Sequence, residues 1–137
     1  MRGKADRLAR VARIRSLQKR QALAEEARVL TERDQIRQMA NRIATLRRAY
    51  TPVEAEAESF SLKSLAHQYE RLGKALAATL DREDRANRAL AETRAETLAA
   101  HMRKRAADEL AARAEAGELV EADRRAERNA VPRRVKP

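Results

Sequence analysis

The 137-residue chain contains no cysteine and no tryptophan, and it has only one phenylalanine, two tyrosines, three glycines and three prolines. Without cysteine, disulfides and thiolate metal sites are excluded, and nothing argues for an oxidising compartment. The scarcity of bulky aromatic side chains leaves little material for a compact globular core. Because Ala, Arg, Glu and Leu dominate and charged residues reach 38%, the composition is typical of long helices or a coiled coil.

Strand and membrane signals are also missing. No stretch alternates apolar and polar residues with β-branched enrichment between turn residues, so no strand is predicted. No run approaches the roughly 20 apolar residues of a membrane-spanning helix, and the basic segment 1–20 lacks the apolar region of a signal peptide. These absences favour a soluble, cytoplasmic, all-α protein.

The net charge of +10 is unevenly distributed along the chain. Residues 1–50 carry 14 basic and 5 acidic groups, residues 51–100 carry 7 and 9, and residues 101–137 carry 10 and 7. If the chain folds as a hairpin, the two basic regions lie at its open end. We therefore expect an electrostatic polarity that favours acidic partners at that end.

An apolar seam with heptad spacing runs through the end of the first half of the chain. Its members are Ile36, Met39, Ile43, Leu46, Tyr50 and Val53. A seam this narrow needs a partner helix of matching period. The same spacing resumes in the second half, where Glu83 is the one charged member. The other members there are Leu62, Leu65, Tyr69, Leu72, Leu76, Thr79, Ala86, Leu90, Thr93, Thr97 and Ala100.

Helix-start signals lie between the two runs. Thr51 suits an N-cap, Pro52 the first helical position and Glu54 the third. A helix that stops and restarts here gives a long two-helix antiparallel coiled-coil hairpin whose second helix is the longer. The predicted single domain, 1–137, consists of helix 1 at about 4–50, a turn near 51, helix 2 at about 52–129 and a disordered tail at 131–137.

A second placement of the reversal uses Ser59 as the helix cap and makes residues 51–58 a loop. With the first placement, Leu8 is matched with a position near 94, so helix 2 extends unpaired over roughly residues 96–128. This overhang is rich in alanine, and a single helix of this kind is marginal in water. We therefore expect another molecule to cover it.

Catalytic patterns are poor. His67 and His101 are far apart and lack the Cys, HExxH or paired-carboxylate context of a metal or acid–base site. The glycines are isolated, so no phosphate-binding loop is predicted. The sequence predicts a protein that is not an enzyme and that takes no cofactor, metal or small-molecule substrate.

The strongest charged feature is a basic cluster on the first helix, and the overhang adds a few large apolar residues. The predicted partner-binding residues are Arg7, Arg10, Arg13, Arg15, Lys19, Arg20, Leu98, Met102 and Leu110. The basic cluster has three interpretations: a solvated flank of a weak seam, a surface for an acidic protein, or a nucleic-acid contact. Nucleic acid is disfavoured because interleaved aromatics and base-reading Asn/Gln clusters are lacking.

The opening segment 7–15 reads RLARVARIR, and segment 18–25 reads QKRQALAE. These strings resemble the N-terminus of the FliJ family of flagellar export proteins and of the related stalk proteins of virulence type III secretion systems. The resemblance implies a small, cysteine-free, charged helical hairpin that lies in the cytoplasm below the export gate. It also implies insertion into the central hole of a hexameric export ATPase, contact with the cytoplasmic domain of the export-gate protein, and escort of export chaperones.

The function expected from the resemblance is therefore a non-catalytic stalk and chaperone component of a type III export apparatus. Such a protein is cytoplasmic, and it is peripheral to the inner membrane through its partners only. Two alternatives stay open on the residues alone. One is a self-associating structural scaffold, and the other is a basic helical protein that binds nucleic acid.

Overall fold

The computed structural model describes residues 2–51 and 59–130. They form two α-helices, α1 at Arg2–Ala49 (48 residues) and α2 at Ser59–Ala130 (72 residues), and no strand occurs in either described range. The all-α hairpin with a longer second helix is thus confirmed. The predicted helix start at Pro52, the seam residue Val53 and the tail at 131–137 lie outside the described residues.

The end of α1 has a local cause. After Ala49, the next two backbone N–H groups donate to the carbonyls of Arg47 and Arg48 at 3.1 and 3.2 Å, which are the shorter-range bonds that tighten a last helical turn. Pro52 follows one residue later and disfavours helical backbone at the residue before it. The two arginines in the last turn also complement the negative end of the helix dipole.

Contacts divide the chain into two compact units. The terminal unit is Met1–Leu23 with Glu96–Pro137, and the central unit is Ala24–Ala95. Each unit contains one segment of α1 and one of α2. In each unit, residues later in α1 contact residues earlier in α2. Both segment pairs are therefore antiparallel.

Charged and polar side chains mark the register of the central unit. The cross-helix pairs there are Glu26 with Arg94 at 3.5 Å, Arg33 with Asn87 at 3.4 Å and Arg37 with Glu83 at 3.9 Å. In each pair one side chain is half-buried in the seam and the other is exposed, and together the pairs specify which residues face one another. Their regular spacing shows that the two helix segments keep one register through the unit.

This register corrects the predicted position of the reversal. The Arg47 Nε donates to the Tyr69 carbonyl at 3.3 Å, whereas a tight turn at Thr51 would place a residue near 55 opposite Arg47. The tight turn at Thr51 is therefore wrong. The second placement, with Ser59 as the helix cap and residues 51–58 as a loop, stays a prediction, because residues 52–58 lie outside the described ranges.

The predicted seam on α1 is half right. Ile36 is buried and Ile43 and Tyr50 are half-buried, but Met39 and Leu46 are 47% and 49% exposed. Assigning these two side chains to the seam is wrong. They lie on the flank of α1. At every second seam position, the residue that faces α2 is the one that follows the predicted residue.

Ala40, only 3% exposed, and the half-buried Arg47 occupy the seam instead. Alanine lets the helices approach closely, and the aliphatic stem of an arginine can cover an apolar surface while its head reaches water or a partner. The resulting heptad continues along α1. The buried or half-buried residues at this spacing are Ala5, Leu8, Ala12, Arg15, Lys19, Ala22, Glu26, Val29, Arg33, Ile36, Ala40, Ile43, Arg47 and Tyr50.

The predicted seam on α2 is confirmed at every position from Leu62 to Ala100, because each member, Glu83 included, is buried or half-buried. The same spacing then continues beyond the predicted run. The additional seam residues are Lys104, Ala107, Ala111, Ala114 and Glu118.

The terminal unit shows that this added stretch is paired with α1. Thr97 Oγ1 donates to the Ala22 carbonyl at 3.3 Å, and the Ala5 amide donates to Glu118 Oε1 at 3.3 Å. Ala107 lies between these two contacts and is buried. The helices of the terminal unit therefore pack together over most of the unit's described length.

The predicted overhang at 96–128 and the matching of Leu8 with position 94 are consequently wrong. Both followed from placing the reversal too early in the chain, which shifts every partner on α2. The contact of Glu118 with Ala5 shows that α2 is paired at least as far as Glu118, and residues 119–130 are exposed.

Candidate docking surface

All nine predicted partner-binding residues lie in the terminal unit. Four of the six basic side chains are exposed, namely Arg7, Arg10, Arg13 and Arg20. Arg15 and Lys19 are half-buried seam residues, and Arg15 Nη1 donates to Gln18 Oε1 at 2.9 Å on the same helix. These two side chains help to cover the seam, so the four exposed arginines are the stronger candidates for partner contacts.

The three apolar candidates on α2 are exposed as well. Leu98 and Met102 are 61% and 63% exposed, and Leu110 is 50% exposed. Leu98 and Met102 are four residues apart, which places them on one face of the helix. None of the three belongs to the seam, so all are accessible to a partner.

Sequence reasoning missed an apolar set on α1. Val11, Ile14 and Leu17 are between 42% and 56% exposed. A signal for it exists in the sequence, because each of these residues follows an arginine by four positions. The pairs are Arg7 with Val11, Arg10 with Ile14 and Arg13 with Leu17.

We call these six residues the α1 outer face. Residues four apart on a helix are surface neighbours, with Cβ atoms roughly 5–6 Å apart. Each step of three residues turns back by about 60° around the helix axis. Arginine and apolar side chains therefore alternate in a band that winds across the exposed side of α1.

The alanines of the seam explain why large apolar side chains lie outside. The terminal unit fills its interface with small residues, among them Ala12, Ala100 and Ala107. Of twelve large apolar side chains that are exposed within the described ranges, nine belong to this unit. Contiguous exposed apolar patches are typical of interaction surfaces, so the terminal unit is the better candidate for one.

The charge of the α1 outer face is not neutralised locally. On α2, two basic side chains have carboxylates one turn away, Lys104 with Asp108 at 2.7 Å and Arg105 with Glu109 at 3.7 Å. Across residues 2–51 and 59–130, no carboxylate lies within salt-bridge distance of the four exposed arginines. Their positive field is therefore directed at solvent or a partner.

The two units differ in net charge accordingly. The terminal unit contains 18 basic and 9 acidic residues, for a net charge of +9, and the central unit contains 13 and 12, for +1. Nearly all of the protein's excess positive charge thus belongs to the unit that carries the α1 outer face.

A groove adjoins this face. It has a volume of about 680 Å³, and it is lined by Gly3, Lys4, Arg7, Arg113, Ala114, Gly117, Glu118 and Glu121. A Cβ atom added at either glycine would meet nothing within 4 Å, so the floor is open.

Metal and membrane features can be stated for the described ranges. His67 and His101 are exposed, and no three His, Asp or Glu side chains among the described residues are arranged to hold a metal ion. Neither described helix contains an apolar segment long enough to cross a membrane.

Comparison of the chain with protein families, with curated proteins and with solved structures finds no match. The resemblance of segments 7–15 and 18–25 to the FliJ family therefore stays a prediction. The terminal unit combines an alanine-rich seam, exposed apolar side chains and exposed arginines with no carboxylate at salt-bridge distance among the described residues.

Proposed function

We propose that this protein is a non-catalytic coiled-coil stalk and chaperone component of a flagellar-type (type III) protein export apparatus. In this role the terminal unit docks into the hexameric export ATPase, and the protein links the ATPase to the cytoplasmic domain of the export gate. Export chaperones are further partners. The protein acts in the cytoplasm, and it reaches the inner membrane only through these partners.

The single observation that supports the proposal best is the composition of the α1 outer face. Exposed arginines that lack local carboxylates can form bidentate, charge-assisted hydrogen bonds with acidic residues of a ring subunit. Neighbouring apolar side chains can be buried in the same contact. The unpaired second helix expected from the sequence no longer supports the proposal, because α2 is paired as far as Glu118.

Charge reversal tests the proposal. The triple variant R7E/R10E/R13E removes three arginines of the α1 outer face, and we expect its affinity for the hexameric export ATPase to fall about 10-fold or more. Far-UV circular dichroism should be unchanged, because the three side chains are exposed and glutamate is about as good a helix former as arginine.

The matched control is R42E/R71E/R88E, which changes the net charge by the same amount at exposed arginines of the central unit. We expect this control to bind within about twofold of the wild type, apart from general screening effects. Equal loss in both variants, or loss in neither, would contradict docking through the terminal unit.

A self-associating scaffold is the second candidate, and the nine exposed apolar side chains of the terminal unit favour it. Light scattering separates the two candidates. The stalk is expected to be a monomer of 15.5 kDa in isolation, since the seams of its two helices already pair within one chain. A wild-type protein of twice that mass, together with a monomeric I14S/L17S variant, would support the scaffold instead.

A further inference from the structure

We infer that the α1 outer face binds an acidic amphipathic helix of a partner protein, one whose carboxylates and leucine-like side chains alternate along one face. The inference rests on the proposed function in taking the partner to be a protein of the export apparatus. It goes further in naming the docking face and the chemistry of the segment that occupies it.

The apolar part of the surface requires an apolar partner. Val11, Ile14 and Leu17 are each largely exposed, and they follow one another at three-residue steps. Covering such side chains removes apolar surface from water, which is the main favourable term in association. A purely polyanionic ligand would leave them uncovered.

The charged part requires carboxylates on that same partner. Arg7, Arg10 and Arg13 each stand one turn before one of the apolar residues, so cationic and apolar groups are interleaved rather than placed on separate faces. A partner helix with acidic and apolar residues alternating on one face matches this order. Planar guanidinium groups suit carboxylates because they can bind both oxygens.

The interleaving disfavours a lipid surface. A helix that lies in the membrane interface presents a continuous apolar face with basic residues on the opposite side. Here Arg10 lies between Ile14 and Leu17 around the helix, so inserting both apolar side chains would draw a guanidinium toward the acyl layer. A protein helix imposes no such cost, since it can place a carboxylate opposite that position.

A second copy of the chain is disfavoured by charge. The terminal unit carries a net charge of +9, and two such surfaces repel one another. On α2, the exposed Arg105 already has the Glu109 carboxylate one turn away at 3.7 Å, so it offers an acidic helix less unpaired charge than the arginines of the α1 outer face. The observations therefore favour α1 and an acidic occupant.

Binding of a defined probe to the full-length protein tests the inference. The probe is a fluorescent 21-residue helical peptide of Glu and Leu in heptad order, and the comparison peptide has Gln in place of Glu. We expect the Gln peptide to bind about 10-fold or more weakly, since it lacks the carboxylates that pair with arginine. Equal binding of both peptides would overturn the inference.

Two variants locate the site. I14S/L17S removes two apolar side chains of the α1 outer face, each 56% exposed, and M39S/L46S removes two that are 47% and 49% exposed from the central unit of the same helix. We expect I14S/L17S to weaken binding of the Glu–Leu peptide about 10-fold or more and M39S/L46S to stay within about twofold. Equal effects of the two variants would overturn the assignment to α1. Circular dichroism establishes that both variants are folded.

Vesicles containing phosphatidylserine and a duplex DNA serve as competitors. The choice of a protein helix would be overturned by two results together. One is that either competitor displaces the peptide at equal charge concentration, and the other is that I14S/L17S weakens binding of that competitor as much as it weakens binding of the peptide. No displacement at moderate salt supports it.

Binding of the export ATPase is measured separately. If the peptide binds and the ATPase does not, the proposed function fails while the inference holds. If the ATPase binds and the peptide does not, the inference fails while the proposed function holds.

Discussion

The terminal and central units share one heptad spacing but use it differently. In the central unit the seam buries Val29, Ile36 and Leu90, whereas in the terminal unit the buried residues are Ala100 and Ala107. Only three large apolar side chains are exposed among the described residues of the central unit, against nine in the terminal unit. Periodicity thus determines which helix faces pair. The size of the side chains at the seam positions differs between the units, and with it the number of large apolar side chains that are buried in the interface or exposed on the surface.

Because of this difference, we expect the two units to have different roles, one in the stability of the fold and the other in binding a partner. Fully burying a side chain such as leucine contributes roughly 1.5–3 kcal/mol, and an alanine methyl contributes much less. The central unit, nearly neutral and crossed by ion pairs, is therefore expected to supply most of the free energy of unfolding. The terminal unit, with a net charge of +9, is expected to supply the binding surface.

The largest expected effect is the loss of a buried leucine from the central unit. Leu90 is 3% exposed, and we expect Leu90→Ala to reduce the free energy of unfolding by about 2–4 kcal/mol through lost burial and a cavity. Leu98→Ala in the terminal unit, at a 61% exposed position, should change it by less than about 0.5 kcal/mol. Urea denaturation measures both. Similar losses at the two positions would remove the distinction between the units.

A smaller effect concerns Gly73 of the central unit. A Cβ at Gly73 would lie 2.9 Å from Arg47 Nη2, in the space occupied by a guanidinium that stacks on the Tyr69 ring at 4.0 Å from its centroid. Alanine normally gains about 1 kcal/mol over glycine within a helix. We expect Gly73→Ala to show this gain in an Arg47→Ala background but to lose most of it in the wild type, because the arginine must move.

A double-mutant cycle measured by thermal unfolding provides the coupling between the two sites. The Arg47→Ala change alone should cost about 1 kcal/mol through the lost cation–π contact and stem packing. If Gly73→Ala stabilises both backgrounds equally, the close approach of Arg47 has no energetic consequence.

In the terminal unit, Glu118 is the next target. Its Oε1 accepts a hydrogen bond from the Ala5 amide in the first turns of α1, where helix N–H groups lack partners within the helix. Glu118→Ala should cost about 0.5–1 kcal/mol, as the loss of a capping side chain does. Hydrogen exchange at the Ala5 amide should become faster, and it should not change in Glu115→Ala, which alters an exposed residue. Unchanged exchange in Glu118→Ala would show that the contact does not hold the start of α1.

The smallest effect is a pH dependence in the central unit. Two hydrogen bonds from Arg28 to the Glu25 carboxylate, at 2.6 and 3.1 Å, lower the pKa of Glu25, and the same pair raises the pKa of Arg28. Because the folded-state pKa of Glu25 lies below its unfolded value, the pair stabilises the fold above the unfolded pKa, and this contribution is lost as pH falls through the lowered one.

The matched measurement compares Tm at neutral and acidic pH for the wild type and Glu25→Gln. We expect the decrease in Tm on acidification to be slightly smaller in the variant, since both residues are exposed and screened by solvent. A larger decrease in the variant would have the wrong sign for this pair.

Much of the fold could be predicted from the sequence, and the errors have identifiable causes. The seam on α2 was readable because leucines dominate it from Leu62 to Leu90. On α1, two heptad readings share Ile36, Ile43 and Tyr50, and apolar content favours the one that contains Met39 and Leu46. The structure adopts the other reading, in which Ala40 and Arg47 take the alternate seam positions and Met39 and Leu46 are exposed.

The position of the reversal was harder to predict. Thr51 and Pro52 carry the local signals of a helix start, but the register is set by pairing along the helices, such as that of Arg47 with Tyr69. Local capping preferences contribute about 1 kcal/mol and yield to tertiary packing. The basic residues of the candidate site were predicted, whereas Ile14 and Leu17 were not named as partner-binding residues, because large apolar side chains on a helix are ordinarily expected on its packed face.

The account depends most directly on the register of the terminal unit, and cysteine cross-linking tests it in a chain that has no native cysteine. The double variant A22C/T97C places two thiols where Thr97 now contacts the Ala22 carbonyl, and L8C/R94C places them where a reversal at Thr51 would bring them together. We expect mild oxidation to form an intramolecular disulfide rapidly in A22C/T97C and not in L8C/R94C. Rapid cross-linking of L8C/R94C alone would contradict the alanine seam and the surface that it leaves exposed.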